Sequence, residues 1–326
     1  MVQPDICVIC DSAKLDDNGC IGAPDLIVEV LSPSTSKKDL NYKFKLYEVA
    51  GVREYWIVHP KTKTVKVFLL QPDGKYDEGT EYECNQKAPV HIFEGLEINL
   101  NELFDLEIEK KETKPYELPP EKPTIIEEPI AGYGTLELDE SKRYTYADYM
   151  TWSDDIRREL INGFIHLMSA PLRVHARISQ KMNRAIDRFV EKNKGECHVY
   201  YAPFDVRLPL HGSNEDDKIY DVVQPDICVI CDLSKLDENG CIGAPDLIVE
   251  VLSPSTSKKD LNYKFKLYEV AGVREYWIVY PKEKTVKVFL LLPDGKYDDG
   301  TEYECNQKAP VHIFEGLEID LNELFE

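Results

Sequence analysis

A chain of 326 residues exceeds one average domain, and 43% hydrophobic with 10% aromatic residues is enough to build real cores. It carries no run of about 18 apolar residues and its start, MVQPDICVIC, lacks the basic and long apolar stretches of a secretion signal, so no helical membrane span is predicted and the cytoplasm is the expected location. The net charge of -21 argues against tight non-specific nucleic-acid binding: any surface that grips phosphates has to be a local basic patch.

Taken from the N-terminus, the first feature is a repeat. Sliding the chain on itself by 221 positions aligns Val2–Asp105 with Val223–Glu326 with nine differences over 104 positions, among them Ser12/Leu233, His59/Tyr280 and Gln71/Leu292. Stacked-repeat units run to about 20–50 residues, so this reads instead as a partial duplication. Residues 1–105 are expected to be a truncated duplicate of the C-terminal half of a domain. Residues 106–132 (LEIEKKETKPYELPPEKPTIIEEPIAG), with five prolines and many charges, read as a linker. Residues 133–326 read as the complete domain.

Nine cysteines without a secretion signal predict reduced thiols rather than a disulfide framework. Cys7-x-x-Cys10 and Cys228-x-x-Cys231 have the spacing of half a zinc knuckle, yet lie in alternating apolar runs, where residues three apart face opposite sides of a strand. Buried thiols packing as small hydrophobes are expected there.

In the complete domain, RRELINGFIHLM predicts a hairpin turning at Asn162-Gly163, the preferred pair for a type I′ turn. A helix follows, with Val174, Ile178, Met182, Ile186 and Phe189 on one face. Arg173, Arg177, Lys181, Arg184 and Arg188 form its opposite face, which is either the candidate DNA contact or a simply solvated stripe. CHVYYAPFDVRL, VVQPDICVIC, APDLIVEVLS, EYWIVYP and KTVKVFLL read as strands, with a helix over Lys259–Val270 between the third and fourth. Hairpin, helix, three strands, helix, two strands makes an α/β sandwich with a mixed central sheet flanked by helices.

Two acids break the apolar pattern. Glu250 interrupts Leu-Ile-Val-Glu-Val-Leu and Asp226 follows Pro225 on the preceding strand. A buried carboxylate costs several kcal/mol unless it is paired or bound to metal. One such acid is as readily an edge residue facing solvent. Two on adjacent strands can hold Mg²⁺, which takes one or two carboxylates plus waters and phosphate oxygens. Asp260, Lys264 and Tyr268, spaced i, i+4, i+8, share one face of the following helix. Lys264 is placed to serve Glu250, the bland alternative being a surface pair with Asp260. Lys258, Lys259 and Lys266 point elsewhere. Glu159, just before the Asn-Gly turn, is the candidate for a further carboxylate.

The combination QPD…PDLIVEVLSPST…D-x-x-x-K-x-x-x-Y…GVREYWIV, preceded by RRELINGFI and a helix opening with His175, closely resembles the Uma-two family of restriction-endonuclease-like proteins in the PD-(D/E)XK nuclease superfamily. The resemblance covers Tyr144–Glu326, and Val2–Asp105 matches the family's C-terminal half. It implies a restriction-endonuclease-like fold and phosphodiester hydrolysis dependent on Mg²⁺ or Mn²⁺, with DNA as the partner. Asp226 would be the first metal ligand, Glu250 the second, and Glu159 would assist. The wider superfamily puts its lysine two residues after the glutamate, where this chain has Leu252, so Lys264 on the neighbouring helix would take that part. His175 and Tyr268 are accessory candidates; His175 would equally serve as a cap or core contact. Asp5, Glu29 and Lys43 form the corresponding set in the first copy.

Two functions are open on these residues: a metal-dependent endonuclease, or a nuclease fold kept as a binding or assembly module with little catalysis. The acidic charge and the half-copy favour the second. The segment Tyr144–Asp221 has two near-identical partners, and its direct junction to Val222 favours the C-terminal copy, because a long linker adds loop-closure entropy. The first copy is then expected to expose part of its sheet and a strand edge, open to homodimerisation.

Overall fold

The computed structural model comprises two units, Met1–Gly134 and Thr135–Glu326. It describes residues 2–31, 42–104, 138–139, 142–152, 156–168, 170–193, 195–210, 212–253 and 258–326, the side chains of 258–260 excepted. The expected linker at 106–132, and the side chains of Lys258, Lys259 and Asp260, lie outside the described residues.

The second unit is mixed α/β. One six-stranded sheet runs in the order His198–Tyr201, Ile227–Ile230, Leu247–Val251, Glu275–Tyr280, Thr285–Leu290, Thr301–Glu304. All its pairs are antiparallel except Leu247–Val251 with Glu275–Tyr280, and the helix Lys258–Ala271 supplies the crossover that a parallel pair needs. The Leu247–Val251 strand is buried on both faces, which is why it reads as a continuous apolar run. Leu247, Val249 and Val251 join one core with Ile178, Met182 and Ile186 of the helix Arg173–Lys192. Ile248 points the other way, into a core with Leu267 and Tyr268. Glu250 shares the face of Ile248 and so looks toward the crossover helix.

The hairpin forms as expected, Arg158–Ile161 against Phe164–Leu167, with Asn162 and Gly163 both at positive φ (52° and 80°) as a type I′ turn requires. It belongs, however, to a second six-stranded sheet, ordered Phe164–Leu167, Arg158–Ile161, Val222–Val223, Val206–Arg207, Gly240–Ile242, Leu236–Asp237. The single central sheet is therefore corrected to two. CHVYYAPFDVRL and VVQPDICVIC each break into two short strands that serve different sheets. The breaks fall at Pro203 and Pro225, which have no N–H to give a ladder. The helix stripe is also shifted: Val174 is exposed, while Val190 is buried and the Phe189 ring packs at a tilt against Phe314.

In the first unit a five-stranded sheet runs Ile6–Val8, Leu26–Val30, Glu54–His59, Thr64–Leu69, Thr80–Glu83, with the helix Phe44–Ala50 in the crossover. Its order matches the last five strands of the six-stranded sheet that begins with His198–Tyr201. The position that His198–Tyr201 takes beside Ile227–Ile230 has no occupant beside Ile6–Val8 among the described residues.

The thiol expectation fails at one pair: Cys197 and Cys231 form a disulfide with Cα atoms 3.9 Å apart. The ladder explains it. His198 pairs with Ile230 and Val199 with Val229, so one step further puts Cys197 opposite Cys231. Cys228 is buried as expected, but Cys7, on the outer strand Ile6–Val8, and Cys10, just after it, are exposed rather than packed. No helix among the described residues is long and apolar enough to cross a membrane.

Candidate functional site

Asp226 and Glu250 meet through strand register. Ile227 pairs with Val249 and Cys228 with Ile248 in an antiparallel ladder. One step on, Asp226 stands opposite Glu250, and opposed residues project from the same face. Asp226 sits at the corner after Pro225. Its Oδ2 accepts the Val251 N–H at 2.7 Å and lies 3.0 Å from His175 Nε2. His175 comes from the first turn of the helix Arg173–Lys192.

Glu159 arrives from the hairpin. It is buried, not exposed as a hairpin arm would suggest in isolation, and its Oε1 accepts the Gln224 N–H at 2.9 Å. Lys264, on the inner face of the crossover helix, donates to Glu159 Oε1 at 2.8 Å and to Glu250 Oε1 at 3.0 Å. Tyr268, one turn later and fully buried, donates to the same Glu250 oxygen at 2.7 Å. Lys264 is thus an internal ion-pair partner and not a surface residue. Lys266 lies largely exposed and pairs with Glu269.

The electrostatics follow from the inventory. Burial pushes the Glu250 carboxyl up to about 7; Lys264 and the Tyr268 hydrogen bond oppose that, and the negative charges of Asp226 and Glu159 add to it. Burial works against the Lys264 ammonium, yet Glu159 and Glu250 together outweigh it and hold the lysine charged well above its ordinary range. The asymmetry is physical: Lys264 faces two carboxylates, whereas Glu250 faces one ammonium and two further carboxylates. Burial likewise opposes the His175 imidazolium, but its contact with Asp226 and the field of Glu250 raise its pKa overall. With Glu250 ionised, three carboxylates face Lys264 and His175, so the centre then carries surplus negative charge with oxygen donors aimed inward.

The first unit assembles the reduced version. Asp5 Oδ2 accepts the Val30 N–H at 2.7 Å, Lys43 donates to Glu29 at 3.0 Å and Tyr47 donates to Glu29 at 2.6 Å. Residues 2–105 contain no counterpart of Glu159 or His175, since both lie in the stretch absent from the copy.

Some of the surroundings were not foreseen. Gln224 donates to Asp205 at 2.8 Å and to Tyr149 at 3.3 Å, while its Oε1 accepts from Arg157. This network braces the corner that carries Asp226. Asp205 sits in FDVRL, where alternation suggests only a solvent face; Gln224 in the QPD triplet was the available signal. The basic stripe is split: Arg173, Arg177, Arg184 and Arg188 are exposed, but Lys181 donates to the Glu323 carbonyl at 2.6 Å. Among the described residues, no three His, Cys, Asp or Glu side chains form an all-protein metal cage.

Comparison with known proteins places these features in context. A family model named Uma2, described as "Putative restriction endonuclease", matches residues 1–101 and 146–322. An uncharacterized protein of Synechocystis sp. is 30% identical over 165 residues, covering 50% of this chain and 79% of the relative. A crystal structure of a "putative nuclease belonging to DUF820" from Anabaena variabilis aligns with a TM-score of 0.45 and 22% identity, over 56% of this chain and 97% of that one.

Proposed function

The chain belongs to the Uma2 family, and on that premise we propose that residues 133–326 form a restriction-endonuclease-like domain that hydrolyses DNA phosphodiester bonds with Mg²⁺ or Mn²⁺. The observation that carries the reading is the placement of Asp226 and Glu250 on one face of neighbouring strands, with Lys264 bonded to the second acid. The donor set fits the ion. Hard divalent cations take oxygen ligands, Mg²⁺ needs only one or two carboxylates, and surplus negative charge in a buried site calls for a cation.

In this reading Asp226 and Glu250 hold the ion. When bound, it would supply Lewis acidity toward a phosphate oxygen and a water. The chain's own residues do the rest. His175 and the Val251 N–H fix Asp226, and Tyr268 and Lys264 fix Glu250. Lys264 also places a fixed positive charge where a phosphate would gain charge during cleavage, a stabilisation effective in a buried site. Glu159 keeps Lys264 on station from the second sheet. The exposed arginines of the helix are the candidate phosphate contacts.

We read residues 1–105 as a truncated duplicate joined through a linker at 106–132. Without Glu159 and His175, it is a binding element rather than a second catalytic unit. Supercoiled plasmid incubated with Mg²⁺ tests the assignment, beside Asp226→Asn and Glu250→Gln. Cutting by wild type and loss in both variants supports it; equal cutting by all three assigns the activity to a contaminant and overturns the reading.

A further inference from the structure

The two copies form an internal comparison, because nearly the same residues are covered in one unit and uncovered in the other. Ile227 is 0% exposed, but its counterpart Ile6 is 46%. Val251 is 3% and Val30 is 41%; Leu317 is 7% and Leu96 is 43%; Leu324 is 3% and Leu103 is 44%. The difference has one source. In the second unit the helix Arg173–Lys192 packs Ile178, Met182 and Ile186 into the core that holds Ile227, Val251, Leu317 and Leu324. His198–Tyr201 then pairs with Ile227–Ile230 and brings Cys197 to Cys231. Among the described residues of the first unit Ile6–Val8 is an edge strand, and Cys10, the counterpart of Cys231, is a free exposed thiol.

An apolar face of this extent beside an open, uncharged strand edge marks an interaction surface. What covers the same residues in the second unit says what fits. We propose that the uncovered face of the first unit is a docking site for a separate polypeptide that presents an amphipathic helix followed by an edge strand, the N-terminal half of a domain of this same fold. The partner is a separate chain, because the segment of this chain with that chemistry is already packed within the second unit. Charge agrees: residues 2–105 hold 18 Asp and Glu against 11 Lys and Arg, while the helix 173–192 holds six basic against two acidic residues. Recognition combines helix-in-groove packing with strand addition. The inference stands whether or not the second unit cleaves DNA.

The register supplies the test, since a docked strand in the second unit's alignment puts its cysteine opposite Cys10. The probe is a synthetic peptide of residues 173–204 whose Cys197 carries 5-thio-2-nitrobenzoate as a mixed disulfide. Attack by the Cys10 thiolate forms the Cys10–Cys197 bond and expels the coloured 5-thio-2-nitrobenzoate anion, so atoms and electrons balance without an added oxidant. The full-length chain is titrated with this peptide and with a control carrying Ile178→Asp, Met182→Asp and Ile186→Asp, and adducts are mapped by mass spectrometry. Modification of Cys10 at least about tenfold faster than by the control, and than that of Cys7, Cys20, Cys84 or Cys305, supports docking. Equal rates for the two peptides, or no preference among the thiols, overturn it. A chain that sediments as a dimer with Cys10 protected from both peptides also overturns it, the occupant then being a second copy.

Discussion

The Lys264 ammonium lies 2.8 Å from a Glu159 oxygen and 3.0 Å from a Glu250 oxygen, so one side chain ties together two buried carboxylates carried by different sheets. Removing it leaves buried negative charge without its counter-ion. Lys264→Met is expected to destabilise the protein by about 3–5 kcal/mol at pH 8. The loss should shrink at pH 5, where the carboxylates can protonate instead. Urea denaturation at the two pH values checks this; a loss that is small, or the same at both, would refute an internal ion-pair role.

Glu250 should leave its own signature. Its folded pKa of about 7 lies above the ordinary 4.5, so in the metal-free protein the neutral acid is the favoured form below about pH 7 and the carboxylate above it. For a raised pKa the stabilisation is fully present below 4.5 and is lost as pH rises through 7, by up to about 3 kcal/mol. Glu250→Gln should remove that slope. Divalent-ion binding needs the ionised form, so affinity should climb about tenfold per pH unit between roughly 5 and 7 and level off above, with proton release on binding. Calorimetry in buffers of different ionisation enthalpy measures both. Binding that is independent of pH across this window would contradict the assignment of Glu250 as a ligand.

How much of this was legible beforehand depended on range. Glu250 declared itself because a charge inside Leu-Ile-Val-Glu-Val-Leu is a local contradiction, and Lys264 with Tyr268 followed from helical spacing. Glu275 shows the limit of that logic. It too is a buried acid at a strand, yet its oxygens take the Trp277 indole N–H and the His312 and Ile313 backbone N–H groups, so it anchors a loop. Sequence patterning does not separate these two acids: the Trp277 indole is close in sequence, but the two backbone N–H groups that complete the set lie 37 and 38 residues away. The same non-local reason hid the second sheet: prolines at 203 and 225 end ladders, but which sheet receives each fragment is decided by tertiary pairing. Strands after Leu290 were missed because they are short and half exposed, with charges among few apolar residues.

The Cys197–Cys231 bond closes a separation of 34 residues and ties the outer strand to its neighbour. Cys231→Ser is expected to cost about 4 kcal/mol in the chain-entropy description. Cys10→Ser, at the matching position of the first unit, should cost almost nothing, since Cys10 is free and exposed. Alkylation of the denatured, unreduced chain should label seven cysteines, rising to nine after reduction. Nine before reduction would show that both thiols are free and remove the basis for the contrast.

The helix face offers the sharpest test of nucleic-acid contact, because its basic residues are not equivalent. Arg184 and Arg188 are exposed, whereas Lys181 is engaged by the Glu323 carbonyl. Each arginine that meets a DNA phosphate should contribute about 0.9 to the slope of log K against log salt concentration. The double variant Arg184→Ala, Arg188→Ala should therefore lower the slope by about 2, while Lys181→Ala leaves it nearly unchanged. Fluorescence anisotropy of a labelled duplex, in a Glu250→Gln background to prevent cutting, gives the slopes. If the double variant keeps the full salt dependence, the stripe is a solvated helix face and the phosphate contacts lie elsewhere on the domain.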